Sequence, residues 1–134
     1  MRTKNLLVLK KTAVALAVIW TVLIAIMCLL RFDKLPSIGV SEEDKYVHFT
    51  FHFVFTMLWG FYSWQKENSI VVNKIVSIVF ISLCYGIVIE VLQETCTTTR
   101  HADLFDVIAN ATGAISAFAL FVLLKISKNK LDKR

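Results

Sequence analysis

The chain has 134 residues, of which 57% are hydrophobic, and a formal net charge of +5. It contains only one proline and four glycines. This composition is too apolar for an ordinary soluble domain of this length, and it favours an integral membrane protein. Because no repeat and no Ser/Gly/Pro-rich linker divides the chain, we predict a single domain over residues 1–134.

Four apolar segments follow one another along the chain, over residues 12–30, 46–64, 75–92 and 107–126. Each is close to the length of about 20 residues that an α-helix needs to cross a bilayer core of about 30 Å. The first segment is too long for the apolar region of a secretory signal peptide, so we expect it to be retained. The predicted fold class is therefore an all-α membrane protein with four transmembrane helices.

The distribution of positive charge predicts the orientation of these helices. Most of the fifteen lysines and arginines lie before the first segment, between the second and third, and after the fourth. The positive-inside rule then places both termini in the cytoplasm and residues 31–45 and 93–106 outside. The net charge is accounted for by flanks that face anionic lipid, so membrane lipid is a predicted partner and nucleic acid is not.

The second helix is predicted to begin near Asp44, because Ser41 and Asp44 have the spacing of a capping box. Its first two turns then contain Lys45, His48 and His52 at the outer membrane surface. The i, i+4 spacing of the two histidines can place two imidazoles on one metal ion. Since such a pair without a third partner at fixed spacing is more often a packed pair, we assign no metal ligand here and leave the cofactor open.

The third helix ends and the fourth begins with polar side chains, and the spacing of each set puts it on one helix face. In the predicted topology both sets meet the start of the second helix at one outer rim. Glu94, taken singly, is expected to be solvated. The two sets are Glu90, Gln93 and Glu94, and Asp103, Asp106 and Asn110.

Two interpretations of this convergence remain open. Glu90 and Asn110 each lie about one turn inside a predicted span, where an ionisable side chain costs about 2.5 to 3.5 kcal/mol to insert. The polar groups could form a lock between the third and fourth helices, helped by the small residues Ala109, Gly113 and Ala117 at four-residue spacing. They could also form a functional site, and the two roles are compatible.

Three motifs resemble the VanZ-like family of small bacterial membrane proteins. They are "DKYVHF" from Asp44, "YGIVIEVLQE" from Tyr85 and "RHADLFDVIANATG" from Arg100. The resemblance extends from about residue 6 to residue 126 and implies a multi-pass protein of the bacterial cytoplasmic membrane. The family is named for a member linked to low-level resistance to teicoplanin, a lipoglycopeptide that acts on the cell wall outside the membrane.

Two classes of function follow. In the first, the outer rim binds or acts on an anionic lipid-linked envelope component, such as a cell-wall precursor, or meets the lipoglycopeptide itself. In the second, the protein is a non-enzymatic envelope component whose polar cluster only holds the helices together. For the first class, the residues predicted to supply acid–base groups or to hold a divalent cation are His48, Glu90, Asp103 and Asp106. The predicted substrate-binding residues are Lys45, Gln93, Arg100 and Asn110.

Overall fold

The computed structural model describes residues 2–29, 43–96 and 103–132, and over these ranges the chain forms four α-helices. They are α1 (Arg2–Leu29), α2 (Glu43–Glu67), α3 (Val72–Cys96) and α4 (Leu104–Leu131). The predicted all-α fold class is confirmed, and α2 begins next to the predicted residue. Each helix begins before the apolar segment that predicted it, and α2, α3 and α4 also end beyond it, because the backbone hydrogen-bond ladder continues into polar flanks. Ser41 lies outside the described residues.

Three of the four helices are long and apolar enough to cross a membrane: Leu7–Leu29, Val72–Cys96 and Leu104–Leu131. Large apolar side chains such as Ile19, Phe80 and Leu123 are exposed on their surfaces, as expected for contact with lipid. Helix α2 has a similar length, but His48 and His52 make its sequence less apolar. Its role as a fourth span and the cytoplasmic placement of the termini stay predictions.

Helix α2 lies at the centre of the bundle and contacts the other three helices, most extensively α4. Its connection to α3 is a short turn in which Asn68 adopts a left-handed conformation, with φ 54°. Asparagine is one of the residues that tolerate this conformation at a helix C-terminus. The short turn makes α2 and α3 antiparallel neighbours, which brings the first turns of α2 next to the last turns of α3.

Hydrogen bonds between helices show which helix ends lie together. The Trp20 indole of α1 donates to the Phe51 carbonyl of α2 at 3.0 Å, and the Gln93 amide of α3 donates to the Cys28 carbonyl of α1 at 3.0 Å. The C-terminal ends of α1 and α3 therefore lie beside the N-terminal ends of α2 and α4. We call this part of the bundle the site end.

Helix α4 approaches α2 closely at Gly113. A Cβ atom at this position would overlap the carbonyl group of Phe49 on α2. One of the two open interpretations of the sequence used the small residues around Gly113 to join α3 and α4; at Gly113 itself the close contact is with the α2 backbone. The four-residue spacing shows that the residues share a face, but it does not show which helix covers that face.

We expect Gly113→Ala to destabilise the bundle by about 1 to 3 kcal/mol, because the new methyl group meets backbone that cannot rotate away. Thermal unfolding of the detergent-solubilised chain would measure the loss. Ser116→Ala, at an exposed position of the same helix, is the matched control. Equal stability of the two variants would show that α2 and α4 do not approach each other as closely as described.

Candidate functional site

His48 is the centre of the polar cluster at the site end. It projects from the second turn of α2 and is only 3% exposed. Its Nδ1 lies 3.2 Å from Asn110 Oδ1 and 3.6 Å from Glu90 Oε1, and its Nε2 lies 3.6 Å from Asp106 Oδ2. One imidazole therefore contacts side chains from both α3 and α4.

The two separations of 3.6 Å are too long to be hydrogen bonds. One ligand atom from each of His48, Glu90 and Asp106 nevertheless lies within 4.8 Å of the others. Glu90 is buried and Asp106 is partly exposed. The three side chains thus form a compact group that could hold a metal ion or transfer protons, with Asp106 on its more open side.

Glu90 is held by the first turn of α4. Its Oε2 accepts a hydrogen bond from the Asp103 backbone N–H at 3.3 Å, which places a carboxylate at the positive end of a helix dipole. Its Oε1 has no hydrogen-bond partner among the described residues. One oxygen of the buried carboxylate therefore joins α3 to α4, and the other oxygen faces His48.

Asp103 has a structural contact of its own. Its side chain caps α4 by accepting a hydrogen bond from the Phe105 backbone N–H at 2.8 Å. Such a cap stabilises a helix by about 0.5 to 2 kcal/mol. The cap holds the carboxylate at the start of α4, and the backbone of the same residue holds Glu90.

Asn110 lies beneath His48 and is 2% exposed. Its Oδ1 meets His48 Nδ1, while its Nδ2 has no hydrogen-bond partner among the described residues. Gly86 of α3 makes room for it, because a Cβ there would lie 2.8 Å from Asn110 Nδ2 and 3.0 Å from His52 Cε1. A larger residue at position 86 would displace the side chain that orients His48.

His52, one turn below His48, does not join the group around the carboxylates. Its Nδ1 lies 2.8 Å from Ser82 Oγ, and its ring packs beside Phe55 and Tyr85. Sequence reasoning missed the partner of His52 and the role of Gly86. The signal was present, since Ser82, Gly86 and Glu90 recur every four residues on α3 and therefore lie along one face.

The remaining predicted binding residues are placed differently. Gln93 donates to the Cys28 carbonyl and so faces α1. The Lys45 ammonium lies 5.0 Å from the centroid of the Phe105 ring, a cation–π contact between α2 and α4. Glu94 is exposed, in agreement with its predicted solvation. Arg100 lies outside the described residues.

The structure thus brings together His48, Glu90, Asp106 and Asn110 from three helices, with Asp103 at the edge of the group. The VanZ/LLP1 family model matches residues 5–125. The chain belongs to the VanZ/LLP1 family. Comparisons with curated proteins and with solved structures give no match.

Membership of the VanZ/LLP1 family confirms the resemblance seen in the three sequence motifs. The matched range includes every residue of the cluster at the site end. Family membership together with three membrane-length helices indicates a membrane protein. The chemistry of the cluster has to be argued from its own geometry, because a shared fold does not define a reaction.

Proposed function

We propose that the site end of this VanZ/LLP1 protein binds or acts on the anionic headgroup of a lipid-linked cell-envelope component. The proposal rests on two buried polar atoms whose hydrogen bonds are not supplied by the packing of the helices. Glu90 Oε1 and Asn110 Nδ2 are both buried without a hydrogen-bond partner among the described residues. An unused buried polar atom costs about 1 to 3 kcal/mol. A headgroup with a hydroxyl that donates to Glu90 Oε1 and an oxygen that accepts from Asn110 Nδ2 would recover that cost.

In the proposed site, positive groups hold the headgroup and acidic groups act on it. Lys45 lies at the site end, and the N-terminus of α4 adds partial positive charge. Arg100, just before α4 in the sequence, is proposed to add a guanidinium for a phosphate. Imidazole and carboxylate groups are suited to proton transfer, which assigns this role to His48 with Glu90 or Asp106.

The geometry refines three of the roles predicted from the sequence. Asp103 is proposed to position Glu90 and cap α4 rather than to exchange protons, because its carboxylate is already hydrogen-bonded to the Phe105 N–H. Asn110 is proposed to orient His48. Gln93 is proposed to join the C-terminal ends of α3 and α1 through the Cys28 carbonyl.

The proposed setting is the outer face of the bacterial cytoplasmic membrane. The positive-inside argument places the site end outside, where lipid-linked wall precursors and teicoplanin meet. A change in teicoplanin susceptibility is therefore the phenotype that we expect the protein to confer.

A purely structural role is the competing proposal, and specific contacts favour it. The contacts between His48 and Asn110, and between Glu90 and the Asp103 N–H, join three helices without any ligand. Such a lock would depend on shape and hydrogen bonding rather than on negative charge. Removal of charge at constant shape therefore separates the two proposals.

We expect Glu90→Gln and Asp106→Asn to accumulate in the membrane at near wild-type levels while losing the protective shift in teicoplanin susceptibility. An amide keeps the volume of the carboxylate and can still hydrogen-bond, and interhelical hydrogen bonds in membranes average only about 0.6 kcal/mol. It can neither accept a proton at neutral pH nor carry negative charge.

The measurement is antibiotic susceptibility of cells that express each variant, normalised to the amount of protein in the membrane. Glu94→Gln, at the exposed carboxylate one turn beyond Glu90, is the matched control. Retention of the phenotype in both amide variants would favour the structural role and count against a functional site.

A further inference from the structure

We propose that His48, Glu90 and Asp106 bind one divalent transition-metal ion at the site end, and that Asn110 orients His48 for this role. The three ligand atoms lie within 4.8 Å of one another, and they come from three different helices. In this proposal the three side chains serve as metal ligands instead of exchanging protons, and the site does not depend on the identity of any lipid substrate.

The first step concerns the two nitrogens of His48. An amide oxygen only accepts hydrogen bonds, so the contact of 3.2 Å with Asn110 Oδ1 places a proton on His48 Nδ1. In the neutral imidazole, Nε2 then offers a lone pair. Metal-binding histidines are commonly oriented in this way by an acceptor at the other ring nitrogen.

The second step concerns what lies opposite that lone pair. His48 Nε2 faces Asp106 Oδ2 at 3.6 Å. A cation between the two atoms would be attracted by both, whereas a hydrogen bond through a shared proton would draw them to about 2.7 to 2.9 Å. Two bonds of about 2.1 Å that meet at about 110° to 120° separate their ligand atoms by about 3.4 to 3.6 Å. The observed separation therefore suits a metal ion better than a shared proton.

The third step adds Glu90. Its side chain is 4% exposed, and Oε1 lies 3.6 Å from His48 Nδ1 and has no hydrogen-bond partner among the described residues. Its other oxygen is anchored by the Asp103 N–H. Oε1 is therefore a positioned carboxylate oxygen whose capacity to bind is unused, and this observation is independent of the contact between His48 and Asp106.

The charges of the two carboxylates also favour a divalent ion at this position. Two carboxylates within 4.8 Å of each other repel, and burial of one of them increases that cost. A divalent ion offsets both charges at once. One imidazole and two carboxylates suit ions such as Mn²⁺, Fe²⁺ or Zn²⁺. Three protein ligands also leave positions open for water or for a phosphate oxygen of a headgroup.

The proposed ligand set narrows the four residues that the sequence offered for a divalent cation to His48, Glu90 and Asp106, and it does not include His52. His52 Nδ1 is engaged with Ser82 Oγ at 2.8 Å, one turn deeper in the bundle. The carboxylate ligands come instead from α3 and α4, and one oxygen of each lies within 4.8 Å of the other and of one His48 nitrogen.

The test uses the full untagged chain in detergent, stripped of metal with a chelator and titrated with MnCl₂. Mn²⁺ is the probe because it favours oxygen and imidazole ligands over the free thiols of the three cysteines. Loss of the electron paramagnetic resonance signal of free Mn²⁺ reports binding. We expect one ion to bind per chain.

Variants assign the site. We expect His48→Gln, Glu90→Gln and Asp106→Asn each to weaken Mn²⁺ binding by at least about 100-fold, and Asn110→Ala to weaken it by about 10- to 100-fold. Asn110→Asp keeps an acceptor for His48 Nδ1 and should restore most of the affinity. Glu94→Gln should bind like the wild type.

A wild-type chain that takes up no Mn²⁺ would overturn the proposal, whatever the variants do. Equal binding by Glu94→Gln and Glu90→Gln would also overturn it, because the ion would then be adventitious. Mn²⁺ binding at this site together with an unchanged phenotype of Glu90→Gln would support the metal site and contradict the proposed function. Loss of the phenotype in Glu90→Gln, together with no Mn²⁺ binding by the wild type, would contradict the metal site and support the proposed function.

Discussion

Glu90→Met is expected to yield a membrane protein that is more stable than the wild type in the presence of a chelator and that has lost its envelope phenotype. We expect the apparent free energy of unfolding to rise by about 1 to 3 kcal/mol, which is the usual cost of a buried polar atom without a partner. Thermal unfolding in detergent and antibiotic susceptibility of expressing cells measure the two effects.

The physical reason is the imbalance in the contacts of Glu90. One oxygen accepts a single long hydrogen bond of 3.3 Å from the Asp103 N–H, and the other accepts none within the described residues. Its carboxylate also lies close to that of Asp106. Methionine fills a similar volume with atoms that need no hydrogen bond, and replacement of buried charges by apolar groups is often stabilising.

The expected sign separates a site from a scaffold. If Glu90 served mainly to join α3 and α4, Glu90→Met would lower stability, because the Asp103 N–H would lose its acceptor. Glu94→Met, at the exposed position one turn further on, is the control and should change little. Added Mn²⁺ should stabilise the wild type and not Glu90→Met, since an ion that binds only the folded state at about 100 times its Kd contributes about 2.7 kcal/mol.

The helices were predictable from the sequence because each corresponds to one of the four predicted apolar segments. Their ends were less predictable, since apolarity reports contact with lipid whereas helix ends depend on capping. Asp103 caps α4 through the Phe105 N–H, four residues before the predicted span at residue 107. Helix α2 shows a further limit of predictions from apolarity. His48 and His52 lower the apolarity of this helix, although both imidazoles are buried in the bundle.

The convergence of polar groups at one end followed from the alternation of helix direction, and the structure brings His48, Glu90 and Asp106 together there. The alternation of helix direction did not predict how each helix is rotated about its own axis. Glu90 and Gln93 share a predicted face, yet Glu90 meets His48 of α2 while Gln93 meets the Cys28 carbonyl of α1. Packing between helices decides which neighbour covers each part of a face. The spacing of residues along one helix does not predict that packing.

Membrane orientation decides whether this site end can meet an envelope lipid at all, and two positions can report it. Cys96 is exposed at the C-terminal end of α3, and Ser69 is exposed in the turn between α2 and α3. Ser69 is a better probe position than Asn68, because Asn68 has a positive φ that a cysteine rarely adopts. Replacement of Cys28 and Cys84 by alanine leaves one labelling site in each variant.

We expect a membrane-impermeant maleimide to label Cys96 in intact cells, and to label a variant with Ser69→Cys and Cys96→Ser only after permeabilisation. The reason is the excess of lysine and arginine on the flanks that share a side with Ser69, which retains those flanks in the cytoplasm. The expected difference is all-or-none, because a bilayer separates the two thiols. The opposite pattern would place His48, Glu90 and Asp106 at the cytoplasmic face and exclude teicoplanin as a direct partner. Labelling of both thiols in intact cells would instead show that α3 does not cross the membrane, and the predicted arrangement of four spans would then be wrong.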